Sequence, residues 1–356
     1  MYEFSEFKVI RYIDRLRAIC RGELPPPVTV EIDLTNACNH RCIWCMDQSY
    51  NTRINATLKE EALLDFAADI ARDGVQSVVF KGGGEPLLYY SFSKIAQSFR
   101  SKGLHLGLIT NGEAINRHID AIPHLSWVQV SLDAATAETH QKLHNPLKTN
   151  VFQTIVDNLY QISSSVFTGI IYIVHPDNFQ ELTAAARLAR DIGCRFINFK
   201  RVIGEEARQF TPQIVRKVSE LAASAQWEAS RTGSRENTDF QVLAPRLHYF
   251  DQGYKASPYP LCLAHHLVGI LGSDGNLYPC RALRGEADYA YGSIYRETFQ
   301  NIWHGERRKA VLKKISKKEC ADKCLGRTSY LRYDHYNHLL EYLSQGKDMP
   351  QHGEFL

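Results

Sequence analysis

The chain has 356 residues, 44% hydrophobic and 23% charged, enough for one large domain or two ordinary ones with a real core. No apolar run approaches the roughly 20 residues needed to span a bilayer, and the charged segment Met1 to Cys20 lacks a signal-peptide core. A formal net charge of +3 without a dense Lys/Arg stripe argues against nucleic acid or a membrane as partner, and the basic run Arg307–Lys318 reads as the wet face of a helix.

In chain order, Phe4, Phe7, Ile10, Ile13, Leu16 and Ile19 form a stripe that predicts a short packing helix. Gly22 can stop it, and Leu24–Pro27 makes a stiff linker. From Val28 strand and helix alternate, with strand-like runs at 28–34, 76–80, 104–110, 127–132, 168–174 and 195–200. Thr57 with Glu60 suggests a capping box before a helix that Gly74 ends, and Thr211-Pro212 opens another that runs to about Arg231. Such alternation predicts a parallel sheet with right-handed crossovers. Six units over about 200 residues fit an α/β fold, a partial (β/α)6 TIM-like barrel, with a doubly wound sheet as runner-up. In both, sites belong at the C-terminal ends of the strands.

After this the regularity stops. Residues 234–257 read as a connector, and 266–280 as a β-hairpin around Ser273-Asp274-Gly275-Asn276, followed by a helix near 297–315 and a cysteine pair. The expected division is 1–27 for the N-terminal helix and linker, 28–233 for the barrel, 234–257 for the connector, 258–330 for a small C-terminal domain and 331–356 for a tail.

Nine cysteines without an export signal are expected to be thiols in a reducing cytoplasm. Cys20 and Cys194 stand apart and read as packing thiols; the others cluster, which points to metal or catalysis before disulfides. Cys38-x3-Cys42-x2-Cys45 directly follows the first strand, which places three thiols above the sheet. Thiolates are soft ligands suited to iron–sulfur clusters and zinc. A four-iron cubane held by only three of them keeps one iron open to a substrate or cofactor. After the second strand comes KGGGEP, Lys81 to Pro86, where glycines let the backbone approach a ligand and Glu85 adds an acceptor for an ammonium group.

These motifs resemble the radical S-adenosylmethionine (radical SAM) superfamily, whose signature CxxxCxΦC has an aromatic residue before the last cysteine; Trp44 fills that place. The resemblance implies a [4Fe–4S] cluster whose free iron chelates S-adenosylmethionine. Electron transfer then cleaves the sulfonium to a 5′-deoxyadenosyl radical, which abstracts a substrate hydrogen. It implies further that Gly83, Gly84 and Glu85 hold the methionyl ammonium, and that Ser131 and Asp133 lie near the ribose hydroxyls. Asp133 has the equal alternative of capping the next helix. Thr110–Gly112 matches a segment common in relatives.

Cys262, Cys280, Cys320 and Cys324, with the stretch 291–303, resemble the SPASM/twitch extension in its shorter form. This implies an auxiliary [4Fe–4S] cluster with four thiolates, suited to electron transfer, with Gly275 turning the hairpin so that Cys262 and Cys280 converge at its base. The last pair is CxxxC where relatives show CxxC, and a closed zinc site on the same thiolates is the competing reading. His265 and His266 read as loop residues.

Lys81, His175, Lys200 and Arg201 are the candidate substrate-facing groups at strand ends. About 27 residues before the first strand are too few for the leader-binding domain of peptide-modifying relatives, which favours a small molecule. The resemblance implies an aminocyclitol, aminosugar or sugar nucleotide that is dehydrogenated, epimerised or dehydrated at a hydroxyl-bearing carbon, with oxidoreductase chemistry foremost. Peptide maturation, and a non-catalytic iron–sulfur or zinc protein, are the alternatives. The implied partner is a flavodoxin- or ferredoxin-type electron donor, and the sequence carries no signal for an oligomeric state.

Overall fold

The computed structural model describes residues 6–202, 209–231, 240–244, 262–317 and 331–344. Its centre is six parallel strands in sequential order: β1 Thr29–Ile32, β2 Ser77–Phe80, β3 His105–Thr110, β4 Trp127–Ser131, β5 Phe167–Val174 and β6 Phe196–Arg201. These are the six strands expected from the sequence. Helix α1 Ile13–Cys20 precedes them, and α2 Gln48–Ile54, α3 Glu60–Arg72, α4 Phe92–Ser101, α5 Ala137–His144, α6 Val151–Ile162 and α7 Leu182–Ile192 fall between them. Helix α8 Pro212–Arg231 follows, opened by Thr211 and Pro212 as the sequence suggests, with the Thr211 hydroxyl accepting from the Ile214 amide at 3.3 Å.

A parallel sheet covered by helices reads as nearly continuous apolar runs. One strand face buries Val30, Ile32, Val78, Phe80, Leu106, Leu108, Val128 and Val130 in one core with Leu63, Phe66 and Ile70 of α3. Strand residues alternate between faces, so Thr29, Glu31, Ser77 and Gln129 share the opposite, inner face, where the Thr29 and Ser77 hydroxyls meet at 2.8 Å. The inner face therefore mixes these polar groups with Val79, Ile109, Ile171 and Ile173.

Several elements depart from expectation. The connector contains a strand, β7 Gln241–Leu243, parallel to β6. The hairpin forms as β8 Val268–Leu271 and β9 Asn276–Tyr278, with β10 Gly292–Ser293 beside β9. It is continuous with the barrel, because β8 pairs parallel with β1 from Thr29↔Val268 to Ile32↔Leu271. Among the described residues the sheet therefore has ten strands, ordered β10-β9-β8-β1-β2-β3-β4-β5-β6-β7, and the barrel is partial. Gly275 turns the hairpin at φ +80°, a conformation that strains any residue with a Cβ.

The capping box at Thr57 and Glu60 does not form. The Thr57 hydroxyl lies 2.7 Å from that of Thr35, and Glu60 receives Lys94 instead. Ile10 is 51% exposed, whereas Leu16 and Ile19 are buried as expected. The expected tail contains a helix, α11 Leu331–Ser344, whose Tyr336 and Leu340 pack with Leu16, Ile19, Ala264 and Val268. Helices α9 Phe299–His304 and α10 Glu306–Ser316 complete the C-terminal region. Arg308 in the expected wet face of α10 is 0% exposed. Among the described residues no helix is long and apolar enough to cross a membrane.

Candidate metal centre

The loop after β1 carries Cys38, Cys42 and Cys45 and is held on both sides. Toward β2, the Gly84 amide donates to Thr35 O at 3.0 Å and the Glu85 amide to Ala37 O at 2.8 Å. Toward α5, the Ile43 amide donates to Leu143 O and the Arg41 amide to His144 O, each at 3.0 Å. The Cys45 amide donates to Cys42 O at 3.0 Å, which closes a tight turn between the second and third cysteines. Gly84 is required by packing: an added Cβ would lie 2.0 Å from Ala37 O. The triple glycine thus seats the cysteine loop itself, a role additional to the one expected from the sequence.

Glu85 is a buried brace. Its carboxylate accepts from Thr110 Oγ1 at 2.5 Å, Leu87 N at 3.0 Å and Asn111 N at 2.8 Å, which ties the loop to the end of β3. Burial pushes its carboxyl pKa up to about 7 against those hydrogen bonds. Cys38 keeps an exposed surface but is crowded by protein beneath it; this desolvation pushes its thiol up to about 12, and Glu85, Cys42 and Cys45 add to the rise. Burial, Asp47 and Cys42 likewise raise Cys45. Cys38 and Cys45, raised chiefly by burial, deprotonate readily only when they share a cation, so this donor set fits an iron–sulfur centre.

The sequence motifs missed a buried chain of histidines. His144 Nδ1 lies 3.5 Å from Cys42 Sγ and 3.3 Å from His40 Nδ1, while its Nε2 donates to Asp133 Oδ2 at 2.8 Å. His40 Nε2 meets Glu113 Oε2 at 3.2 Å, and His140 stacks on His144 with ring centroids 4.5 Å apart. Burial opposes a charge on His144, but Cys42 and Asp133 hold its pKa up at about 10. Burial, with His144 adding to it, lowers His40 to about 4. Donor atoms of His40, Cys42 and His144 lie within 4.8 Å of one another. The signal in the sequence was His140-x3-His144, a spacing that puts both rings on one face of α5.

Asp133 stands at φ +55° and also accepts from the Ile173 amide; the cap of α5 is Thr136, not Asp133. Ser131, half-buried, closes β4. Trp44 packs between His144, 6.0 Å away, and His175, 5.5 Å away between ring centroids. His175 is buried at the end of β5, and its Nδ1 accepts from the Asp177 amide at 3.1 Å. Lys81 pairs with Glu31 at 2.5 Å in the buried inner face. Exposed Lys200 and half-buried Arg201 end β6.

A second network joins this loop to the C-terminal region. Arg284, buried, donates to Asp33 and, at 2.6 Å, to Asp47 Oδ1, and its guanidinium lies 4.2 Å from the Tyr50 ring centroid. Arg281 pairs with Asp47 and reaches Gly82 O at 3.3 Å. Burial alone would raise Asp47, but Arg281 and Arg284 hold its carboxyl below the usual carboxylate range. Cys280 therefore adjoins a residue bound to the loop of Cys45.

Cys262 and Cys280, both half-buried, pack against the same apolar cluster that holds Tyr291, and Asn337 Nδ2 reaches Cys262 Sγ at 3.5 Å. Asn337 Oδ1 also accepts from the Leu263 and Ala264 amides, at 2.5 and 2.8 Å. His265 and His266 are buried in a short 3-10 turn, not a solvated loop. Cys320 and Cys324 lie outside the described residues. Cys20 donates to Leu340 O at 3.4 Å, and Cys194 is wholly buried, both as packing thiols.

Residues 32–189 match the family model of the radical SAM superfamily, and residues 262–325 that of SPASM, an iron–sulfur cluster-binding domain. The chain thus carries a radical SAM domain followed by a SPASM domain. The radical SAM domain implies a [4Fe–4S] cluster and the SPASM domain an auxiliary cluster. The mycofactocin maturase MftC of Mycobacterium tuberculosis is 23% identical over 308 residues, covering 85% of this chain and 75% of that protein. An S-adenosylmethionine-dependent nucleotide dehydratase of Lacinutrix mariniflava is 24% identical over 46% of this chain, and the match covers only 37% of that protein's length. The structure of anSMEcpe with bound AdoMet has the same fold, with a TM-score of 0.61 at 18% identity over 90% of this chain and all of that one. Radical SAM enzymes of this kind thus differ in substrate class.

Proposed function

We propose that this radical SAM enzyme oxidises a sugar-like small molecule, an aminocyclitol, aminosugar or sugar nucleotide, at a hydroxyl-bearing carbon. Bound on Cys38, Cys42 and Cys45, the cluster with S-adenosylmethionine supplies the 5′-deoxyadenosyl radical. The Gly83–Gly84–Glu85 loop offers backbone carbonyls to an ammonium, and Ser131 offers a hydroxyl to the ribose. Cys262, Cys280, Cys320 and Cys324 are the proposed ligands of a second [4Fe–4S] cluster that accepts the electron a deprotonated ketyl radical releases. A flavodoxin- or ferredoxin-type protein is the proposed reductant of the first.

The supporting observation is the buried Lys81–Glu31 pair. Lys81 follows β2 at the strand end that carries the cysteine loop, and its ammonium meets the Glu31 carboxylate there, a donor and an acceptor suited to hydroxyl groups. His175, Lys200 and Arg201 at the ends of β5 and β6 are the remaining candidates for substrate contact. Peptide maturation is the second reading, favoured by the extent of the match to MftC.

The test is 5′-deoxyadenosine formation by the reduced, reconstituted enzyme with panels of aminocyclitols, aminosugars and sugar nucleotides against peptides. Stimulation of at least about tenfold over the substrate-free rate, a barrier change of about 1.4 kcal/mol, is expected with one of the polyols. Stimulation by peptides alone would replace this reading with the second.

A further inference from the structure

Arg308 on α10 is a fully buried guanidinium. Its Nη1 donates to Trp303 O at 2.9 Å and its Nη2 to His266 Nδ1 at 3.0 Å. The cation lies 3.7 Å from the Trp303 ring centroid and 5.4 Å from that of Tyr291. Its Nε has no hydrogen-bond partner, and no carboxylate among the described residues forms an ion pair with it. A buried charge without a counter-ion is strongly unfavourable, so something must balance it.

The neighbouring side chains do not. Among the described residues the pocket holds one fixed positive charge and no negative one. Cys262 and Cys280 pack against the apolar cluster that contains Tyr291 and Trp303, the two rings that flank the guanidinium, and His266 follows Cys262 by four positions.

The geometry points to Arg308 as the counter-charge of the auxiliary cluster, a residue that raises that cluster's reduction potential. This rests on the reading of Cys262 and Cys280 as its ligands. A cubane bound by four thiolates is net negative, and reduction adds one further negative charge. A fixed cation in a dry pocket stabilises the reduced form more than the oxidised one. That direction suits a centre that accepts an electron from a substrate radical.

The experiment is an EPR-monitored redox titration of the reconstituted full chain and of R308M, R308Q and R308K, with iron counted in each. R308M and R308Q are expected to make reduction of the auxiliary cluster at least about tenfold less favourable, a fall of about 59 mV for a one-electron couple. The S-adenosylmethionine-binding cluster should hold its potential, and R308K, which keeps the charge, should stay near the parent. Loss of auxiliary iron from R308M and R308Q with retention in R308K supports the same conclusion. An unchanged potential in R308M and R308Q overturns it, as does R308K shifting or losing iron as far as they do. Absence of auxiliary iron from the parent chain would instead refute the ligand reading.

Discussion

Asp47 joins two segments more than 230 residues apart, because its two oxygens receive Arg281 and Arg284. Arg284 continues the link to Asp33 at the end of β1, so a cation from the C-terminal region completes the floor under the cysteine loop. Removing one member of a buried ion network strands the others without a partner. R284M, which leaves Asp33 and Asp47 buried, is expected to lose about 3–5 kcal/mol of unfolding free energy, measured by denaturant unfolding of the metal-free protein. A loss below about 1 kcal/mol, the range of an exposed pair, would show that the network is solvated. At this scale the cysteines, Trp44 and the glycines were legible because their spacing is local. Asp47, Arg281, Arg284, His40 and His144 were not, since each acquires meaning only from a partner on another element. Arg308 misled for the same reason: its neighbours in sequence are basic and exposed, whereas its neighbours in space are Trp303, Tyr291 and His266.

The six barrel strands were readable because strands covered by helices must be apolar for most of their length, and the helices between them carry stripes such as Leu63, Phe66 and Ile70. The three-residue β7 lies in a polar segment too short to show a period. The pairing of β8 with β1 is a long-range choice with no local signature. Helix α11 was also missed. Its Arg332, Asp334, His335 and Glu341 obscure a buried side that carries Tyr336, Asn337 and Leu340. That side joins α1 to the turn that presents Cys262, so α11 packs beside the proposed auxiliary site. Truncating its fully buried Leu340 to Ala is expected to cost about 2–5 kcal/mol. Hydrogen exchange should show the loss first in α1 and in the turn after Cys262. Faster exchange spread evenly over β2 to β5, with those segments unchanged, would contradict this placement.

For the whole molecule, one sheet carries both sites. The cysteine loop follows β1, and β8 beside it leads through the hairpin to Cys280. On the proposed ligands the arrangement sets two iron–sulfur centres on a common scaffold, with Asp47, Arg281 and Arg284 fastening one loop to the other. Division of labour between them is the claim on which the functional reading stands: three thiolates leave a position for S-adenosylmethionine, whereas the C-terminal thiolates close theirs.

The most direct measurement is iron content together with S-adenosylmethionine cleavage in the anaerobically reconstituted chain and in its C38A/C42A/C45A variant. Two cubanes predict about eight irons in the parent and about four in the variant, with reductive cleavage present in the parent and abolished in the variant. A variant that still cleaves S-adenosylmethionine, or that keeps all the iron of the parent, would contradict the account.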